Sequence, residues 1–198
     1  MRIKILGITG PTGAGKSLLS AYLSQRGLPV IDADEVYHSL LAPPSRCLDA
    51  LVDAFGSSIL SADGTLYRPA LSEIVFHDKE KLALLNSTVL DFVLEEIRTQ
   101  IRALESDGHR CVAVDAPTLI ESGFYTECDT VLSVLAPKEI RLARILARDG
   151  IDEERARARV NAQPDDEFYR SHSDVVLENQ GDTESLQAQL EPYLNDWQ

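Results

Sequence analysis

Ile3-Lys4-Ile5-Leu6-Gly7-Ile8 runs through Thr9 into Gly10-Pro11-Thr12-Gly13-Ala14-Gly15-Lys16-Ser17, and the join between these two stretches decides the fold. The first is a short, mostly apolar run ending in glycines, the pattern of a buried strand. The second satisfies G-x-x-x-x-G-K-[ST] in full. Beyond it, Leu18, Leu19, Tyr22 and Leu23 fall at helical spacing between Lys16 and Arg26, with Gly27 placed to end the helix. A strand, a glycine-rich loop and a helix in that order make the setting in which such a loop binds phosphate. Glycines let successive N–H groups point inward, and the helix N-terminus adds partial positive charge. Lys16 then bridges the β- and γ-phosphates, and the neighbouring Ser17 hydroxyl holds Mg2+. Gly13, Ala14, Gly15, Lys16, Ser17 and Leu18 are the expected ATP-binding residues.

Working outward, Pro29-Val30-Ile31-Asp32 reads as a second strand. Val36, Tyr37, Leu40 and Leu41 suggest a helix stopped by Pro43-Pro44, and Leu48, Leu51, Val52 and Phe55 another stopped by Gly56. The stretch from Gly56 to Pro69 is turn-rich. From Lys79 to Glu105, Leu82, Leu85, Val89, Val93, Ile97, Ile101 and Leu104 recur every three or four residues, predicting one long amphipathic helix before Gly108. Cys111 to Asp115 and Thr130 to Leu135 return to strand character, Pro137 to Asp149 is helical, and Asp174 to Leu177 precedes a C-terminal helix. The alternation predicts an α/β fold, a parallel sheet sandwiched by helices, with a mainly helical insertion over roughly residues 36–108.

Composition narrows the partners. The 198 residues carry 19 Lys+Arg against 32 Asp+Glu, a formal charge of -13, which argues against a surface built for nucleic acid or an anionic membrane. Three cysteines at 47, 111 and 128 form no paired metal or disulfide pattern and fit a reducing, cytoplasmic setting. No run approaches the ~18 apolar residues of a membrane span. Against this acidic background, residues 138–159 hold seven of the 19 basic residues: Lys138, Arg141, Arg144, Arg148, Arg155, Arg157 and Arg159. They read as a local positive field.

A phosphate loop names the nucleotide but not the job. No Asn-Lys-x-Asp guanine-reading motif occurs, and a compact sheet with a helical insertion and an arginine cluster favours a small-metabolite kinase. With Val30-Ile31-Asp32-Ala33-Asp34 added to the loop and the cluster, the chain resembles the dephospho-coenzyme A kinase family from Ile5 to about Leu190. Further landmarks are Phe55-Gly56, Ala62-Asp63-Gly64-Thr65-Leu66 with Arg68 and Leu71, Val75-Phe76, Leu85-Asn86, Ala116-Pro117 with Leu119 and Glu121, Arg144 with Arg148-Asp149, Gln163, and Asp174 through Asn179 and Gly181.

The resemblance implies a P-loop kinase fold that transfers the ATP γ-phosphate to the ribose 3′-hydroxyl of dephospho-coenzyme A, with Mg2+ accompanying ATP. It implies a nucleotide-binding core of residues 1–35, 109–135 and 172–198, a substrate domain of residues 36–108 and a lid of residues 136–171. Carried over by position, Asp34 is the general base, Asp32 orients it, and Lys16 and Arg144 act on the phosphates. Arg144 and Arg148, at i and i+4, share a helix face and both reach toward ATP. Asn179 reads as an adenine neighbour or as a plain Asn-x-Gly turn. Thr9, Asp32, Asp34, His38, Arg68, Pro117, Leu119 and Glu121 are the expected substrate-binding positions. Arg68 reads equally as a pyrophosphate partner or as a side chain laid over a helix.

The chain departs from the family at several of these positions. Leu90-Asp91 stands where the family has His-Pro, Thr118 interrupts Pro-Leu-Leu, His38 replaces an arginine, Arg141 a glutamine, and Tyr169 a basic residue. Asp115 ends a predicted strand facing the loop, a position from which it would hold Mg2+ through water. A kinase of another nucleoside or nucleotide, and a non-catalytic ATP sensor, are the alternative functions.

Overall fold

The structure, a computed structural model, describes residues 2–76, 78–194 and 197. Met1, His77, Asn195, Asp196, Gln198 and the side chain of Phe76 lie outside it, Phe76 among the landmarks read from the sequence. In chain order the elements are β1 (Lys4–Thr9), α1 (Lys16–Gln25), β2 (Val30–Asp32), α2 (Ala33–Leu40), α3 (Arg46–Phe55), α4 (Arg68–Phe76), α5 (Lys79–Ser106), β3 (Cys111–Asp115), β4 (Thr130–Leu135), α6 (Lys138–Asp149), α7 (Glu153–Asn161), α8 (Asp166–Ser171), β5 (Val175–Glu178) and α9 (Thr183–Leu194). Short 3-10 turns cover Ser57–Ile59 and Phe124–Glu127. The chain divides into two compact units, Met1–Ile31 with Ile101–Gln198, and Asp32–Gln100.

The first unit is built on a five-stranded sheet in the order β2-β3-β1-β4-β5. β1 runs parallel to both β3 and β4, and β4 parallel to β5. All five residues of β3 are buried, as are five of the six in β1 and in β4, the continuous burial expected where helices cover both faces. Leu6, Ile8, Leu132 and Val134 pack with Leu19 and Leu23 of α1 and Leu186 and Leu190 of α9. Each fully buried leucine contributes about 1.5–3 kcal/mol through its removal from water. Register puts Ile8 beside Asp115 on one flank and Thr9 beside Ser133 on the other. The phosphate loop therefore leaves the sheet between the carboxyl ends of two parallel neighbours, where open α/β sheets hold ligands. A smaller apolar cluster, Leu142, Ile145, Ala156 and Val160, joins α6 to α7.

In the second unit Leu41, Cys47, Leu51, Ile59, Leu71 and Val75 form a core, with Leu85, Val89 and Phe92 of α5 packed on it. The apolar stripe of α5 is buried at Val93, Ile97 and Ile101, whereas Leu82 in its first turn is 44% exposed. The stripe read from sequence thus extends one turn beyond what is covered. Helix α4 was not anticipated. Pro69 reads as a breaker, yet it occupies the first turn of the helix, where its missing N–H has no intrahelical partner to lose. Helices α7 and α8 also escaped the periodicity; Asp152 and Asp165 start them, accepting hydrogen bonds from the Arg155 and Phe168 N–H groups.

Candidate active site

Three loop glycines are required by what surrounds them. Gly10 has φ +136°, and a Cβ there would overlap the Val134 carbonyl oxygen; Gly13 has φ +77°, and its Cβ would stand 2.7 Å from the Arg141 carbonyl oxygen. Gly15, at φ +109°, faces the Asn179 carboxamide with no room for a methyl group. All three lie in the left-handed region that favours glycine. Lys16 arches back so that Nζ donates to the Gly10 carbonyl at 2.7 Å. Its ammonium is thereby held over the loop. Ser17 and Leu18 are exposed at the start of α1, Leu18 at 45%.

Arg144 of α6 approaches the loop from its carbonyl side. Its Nη1 donates to the Gly13 and Ala14 carbonyls, both at 3.1 Å, and its Nη2 to Asn179 Oδ1 at 3.0 Å. The Asn179 Nδ2 donates to the same Ala14 carbonyl at 2.7 Å, and the residue is 1% exposed. A cation on those carbonyls polarises the peptide groups whose N–H ends belong to Ala14 and Gly15, which favours an anion on the far side. A third contact comes from the α7–α8 turn, where Gln163 Oε1 accepts the Thr12 N–H at 2.9 Å. Gln163 is a landmark of the family resemblance, but the sequence alone assigns it no role.

The remaining arginines behave differently. Arg148 forms a bidentate pair with Asp149 at 2.6 and 3.2 Å and is exposed, so the helix face shared with Arg144 does not leave both guanidinium groups on the loop. Arg159 also pairs with Asp149, Arg155 with Asp152 and Arg157 with Glu153. These exposed pairs contribute little stability individually, but they neutralise much of the positive field read from sequence. Arg141 is buried at 1%, with Nη2 reaching the Val160 carbonyl at 3.4 Å. Burial lowers its pKa, opposed by the charges of Asp166 and Tyr169, and burial pushes the Tyr169 hydroxyl up to about 12.

Among the positions expected to hold substrate in the first unit, Thr9 is fully buried and its hydroxyl donates to the Pro117 carbonyl at 3.3 Å. That bond joins two of the predicted positions. Leu119 is also fully buried and packs on Gly7 of β1, so its side chain serves the core, and Glu121 is exposed two residues on. Asp115 is 6% exposed and accepts the Ser20 hydroxyl at 2.5 Å.

In the second unit, Asp32 caps α2: its Oδ1 accepts from the N–H groups of Asp34 at 2.8 Å and Glu35 at 3.1 Å. The cap is therefore Asp32, and the Asp34 carboxylate, exposed in the first helical turn, carries no capping bond. Tyr37 links the other two positions. Its ring lies 5.6 Å from that of His38 and 5.9 Å beneath the Arg68 guanidinium carbon. Sequence reasoning passed over Tyr37, whose signal was its adjacency to His38.

The donor set suits Mg2+. No group of three or more His, Cys, Asp or Glu among the described residues could form a protein cage. The exposed Ser17 hydroxyl at the loop and the carboxylate of Asp115 at the end of β3 are sparse oxygen donors, of the kind that would hold a phosphate-borne Mg2+.

Comparison with known proteins agrees with this geometry. The family model described as dephospho-CoA kinase (CoaE) matches residues 4–185. A dephospho-CoA kinase of Carboxydothermus hydrogenoformans is 37% identical over 195 residues, 98% of this chain and 95% of the relative. The crystal structure of TT1252 from Thermus thermophilus superposes with a TM-score of 0.85 at 32% identity, covering 100% of both chains. A dephospho-CoA kinase structure from Campylobacter jejuni does so with a TM-score of 0.71 at 25% identity, covering 97% of this chain and 96% of that one.

Proposed function

The chain belongs to the dephospho-CoA kinase family, and from that premise we propose that it transfers the γ-phosphate of ATP to the ribose 3′-hydroxyl of dephospho-coenzyme A, releasing ADP and coenzyme A. The observation that carries this reading is the complete phosphate loop on a P-loop kinase sheet, with Lys16 folded over it and Arg144 seated on its carbonyls. In the reaction the 3′-oxygen forms a bond to the γ-phosphorus as the bond to the β–γ bridging oxygen breaks, and the hydroxyl proton passes to a carboxylate. Asp34 takes that proton. Its neighbour Asp32 fixes the start of α2 through the cap, which orients Asp34 without occupying its carboxylate.

Lys16 and Arg144 supply positive charge where charge shifts onto the leaving ADP and the transferring group. Ser17 would hold Mg2+, which would supply further positive charge against the phosphates. The lid comprises residues 136–171, the acceptor is recognised by the 36–108 segment, with His38, Tyr37 and Arg68 as its polar and aromatic surface, and the core binds the nucleotide. Three free cysteines and a membership in coenzyme A biosynthesis suit a cytoplasmic setting. No described helix is long and apolar enough to cross a membrane.

Acceptor-dependent ADP release, measured with dephospho-coenzyme A, adenosine, AMP and shikimate, tests the reading. Turnover confined to dephospho-coenzyme A is expected. Turnover on another acceptor would reassign the substrate, and none on any acceptor, with ATP still bound, would favour a sensor.

A further inference from the structure

Thr12 sits at the second position of a tight turn. The Ala14 N–H donates to the Pro11 carbonyl at 3.1 Å, and Gly13 at the third position has φ +77°. This is the pattern of a type II turn, whose second position accepts proline and whose third needs φ above zero. Pro11 has no N–H, so after Gly10 the Thr12 amide is the first donor in the loop. Its acceptor is the Gln163 side chain, at 2.9 Å. Pro164 follows Gln163 and Asp165 caps α8, so the backbone that carries this side chain is itself constrained.

We propose that Gln163 is a positioning residue: its carboxamide ties the α7–α8 turn of the lid region to the tip of the phosphate loop, so that the lid's position is transmitted to the phosphate cradle. The proposal rests on the kinase reading above and deepens it. Arg144 grips the same loop from α6 through the Gly13 and Ala14 carbonyls. The lid region thus holds the loop by a cation on its acceptors and by an uncharged acceptor on its donor. An amide suits the second place, because a carboxylate there would hold the N–H but repel the triphosphate.

A double-mutant cycle in the full chain tests this. Thr12→Pro deletes the N–H, proline being accepted at the second position of such a turn, and Gln163→Leu removes the acceptor. Each single variant is expected to lower kcat by about three- to ten-fold, the worth of one hydrogen bond. The double variant should lose no more than either single one. Hydrogen exchange of the Thr12 amide without nucleotide supplies a readout independent of the acceptor: Gln163→Leu should accelerate it. Multiplicative losses in the double variant, unchanged kcat in Gln163→Leu, or unchanged Thr12 exchange would each overturn the proposal. If the wild-type chain transfers no phosphate to dephospho-coenzyme A, the kinase reading fails, while the exchange experiment and a calorimetric cycle on ATP affinity still judge Gln163.

Discussion

Arg144 and Asn179 are hydrogen-bonded at 3.0 Å, and both donate to the carbonyl oxygen of Ala14. Arg148, Arg155, Arg157 and Arg159 pair with carboxylates; among the described residues none pairs with Arg144. In a chain with net charge -13, a guanidinium held only by neutral oxygens keeps its full charge for an incoming phosphate. Asn179 fixes its direction, and the glycine at position 15 leaves the space that Asn179 fills.

Arg144→Lys therefore loses the fork that spans two carbonyls and a carboxamide, while keeping the charge. We expect kcat to fall by about 10-fold or more, with a smaller change in the KM for ATP, because the arrangement matters most when charge moves in the transition state. Steady-state kinetics with dephospho-coenzyme A checks this. A raised KM for ATP at unchanged kcat would make Arg144 a ground-state binder.

The Asp32 cap separates structure from chemistry at the end of β2. Asp32→Ala should cost about 1 kcal/mol of stability, the worth of an N-cap, and lower Tm by a few degrees. Asp34→Asn removes no cap and is nearly isosteric, so Tm and ATP affinity should hold while kcat falls by about 10²–10⁴, the span typical of a positioned acid or base. Melting curves, ATP titration and turnover on one preparation decide it; retained turnover in Asp34→Asn would remove that residue from proton transfer.

Gly10→Ala tests the loop's backbone. With φ at +136° and the Val134 carbonyl in the way, the added methyl group meets main chain that has no flexible end to yield. A loss of about 1–3 kcal/mol, or roughly 2–10 °C in Tm for a domain of this size, is expected together with weakened ATP binding. Equal Tm in wild type and variant would contradict the tight loop geometry.

Legibility followed the source of each signal. β1, β3 and β4 were readable because strands buried on both faces must be apolar throughout, and the loop because phosphate binding specifies four of its eight positions at fixed spacing. Asp32-Ala33-Asp34 sets two carboxylates at the start of α2, and the backbone geometry makes the first of them its cap. Arg144 and Arg148 share a helical face, but Asp149 lies next to Arg148 and captures it. Pro69 concealed α4, and Gln163, though a landmark of the resemblance, had no legible role because its meaning lies in a contact 151 residues away in sequence.

Alkaline stability depends on Cys128. Its Sγ lies beneath Gly7 of β1 and donates to the Phe124 carbonyl at 3.6 Å. Burial, assisted by the charges of Glu127, Asp129 and Asp174, pushes the thiol from an ordinary 9.0 up to about 12. In the unfolded chain the thiol ionises near its ordinary value while the folded one stays neutral, so above that value the unfolded state binds fewer protons. Stability must then fall as pH rises from about 9 toward about 12, and the contribution is fully present below that window. Urea midpoints measured from pH 8 to pH 10.5 should decline in the wild type and decline less steeply in Cys128→Ala, whatever the variant's absolute stability. Burial raises the Cys47 and Cys111 thiols as well, so a residual slope will remain. The same neutral thiol should react with iodoacetamide at pH 8 far more slowly in the native protein than in urea. Parallel pH slopes in wild type and Cys128→Ala would show that the thiol ionises alike in both states.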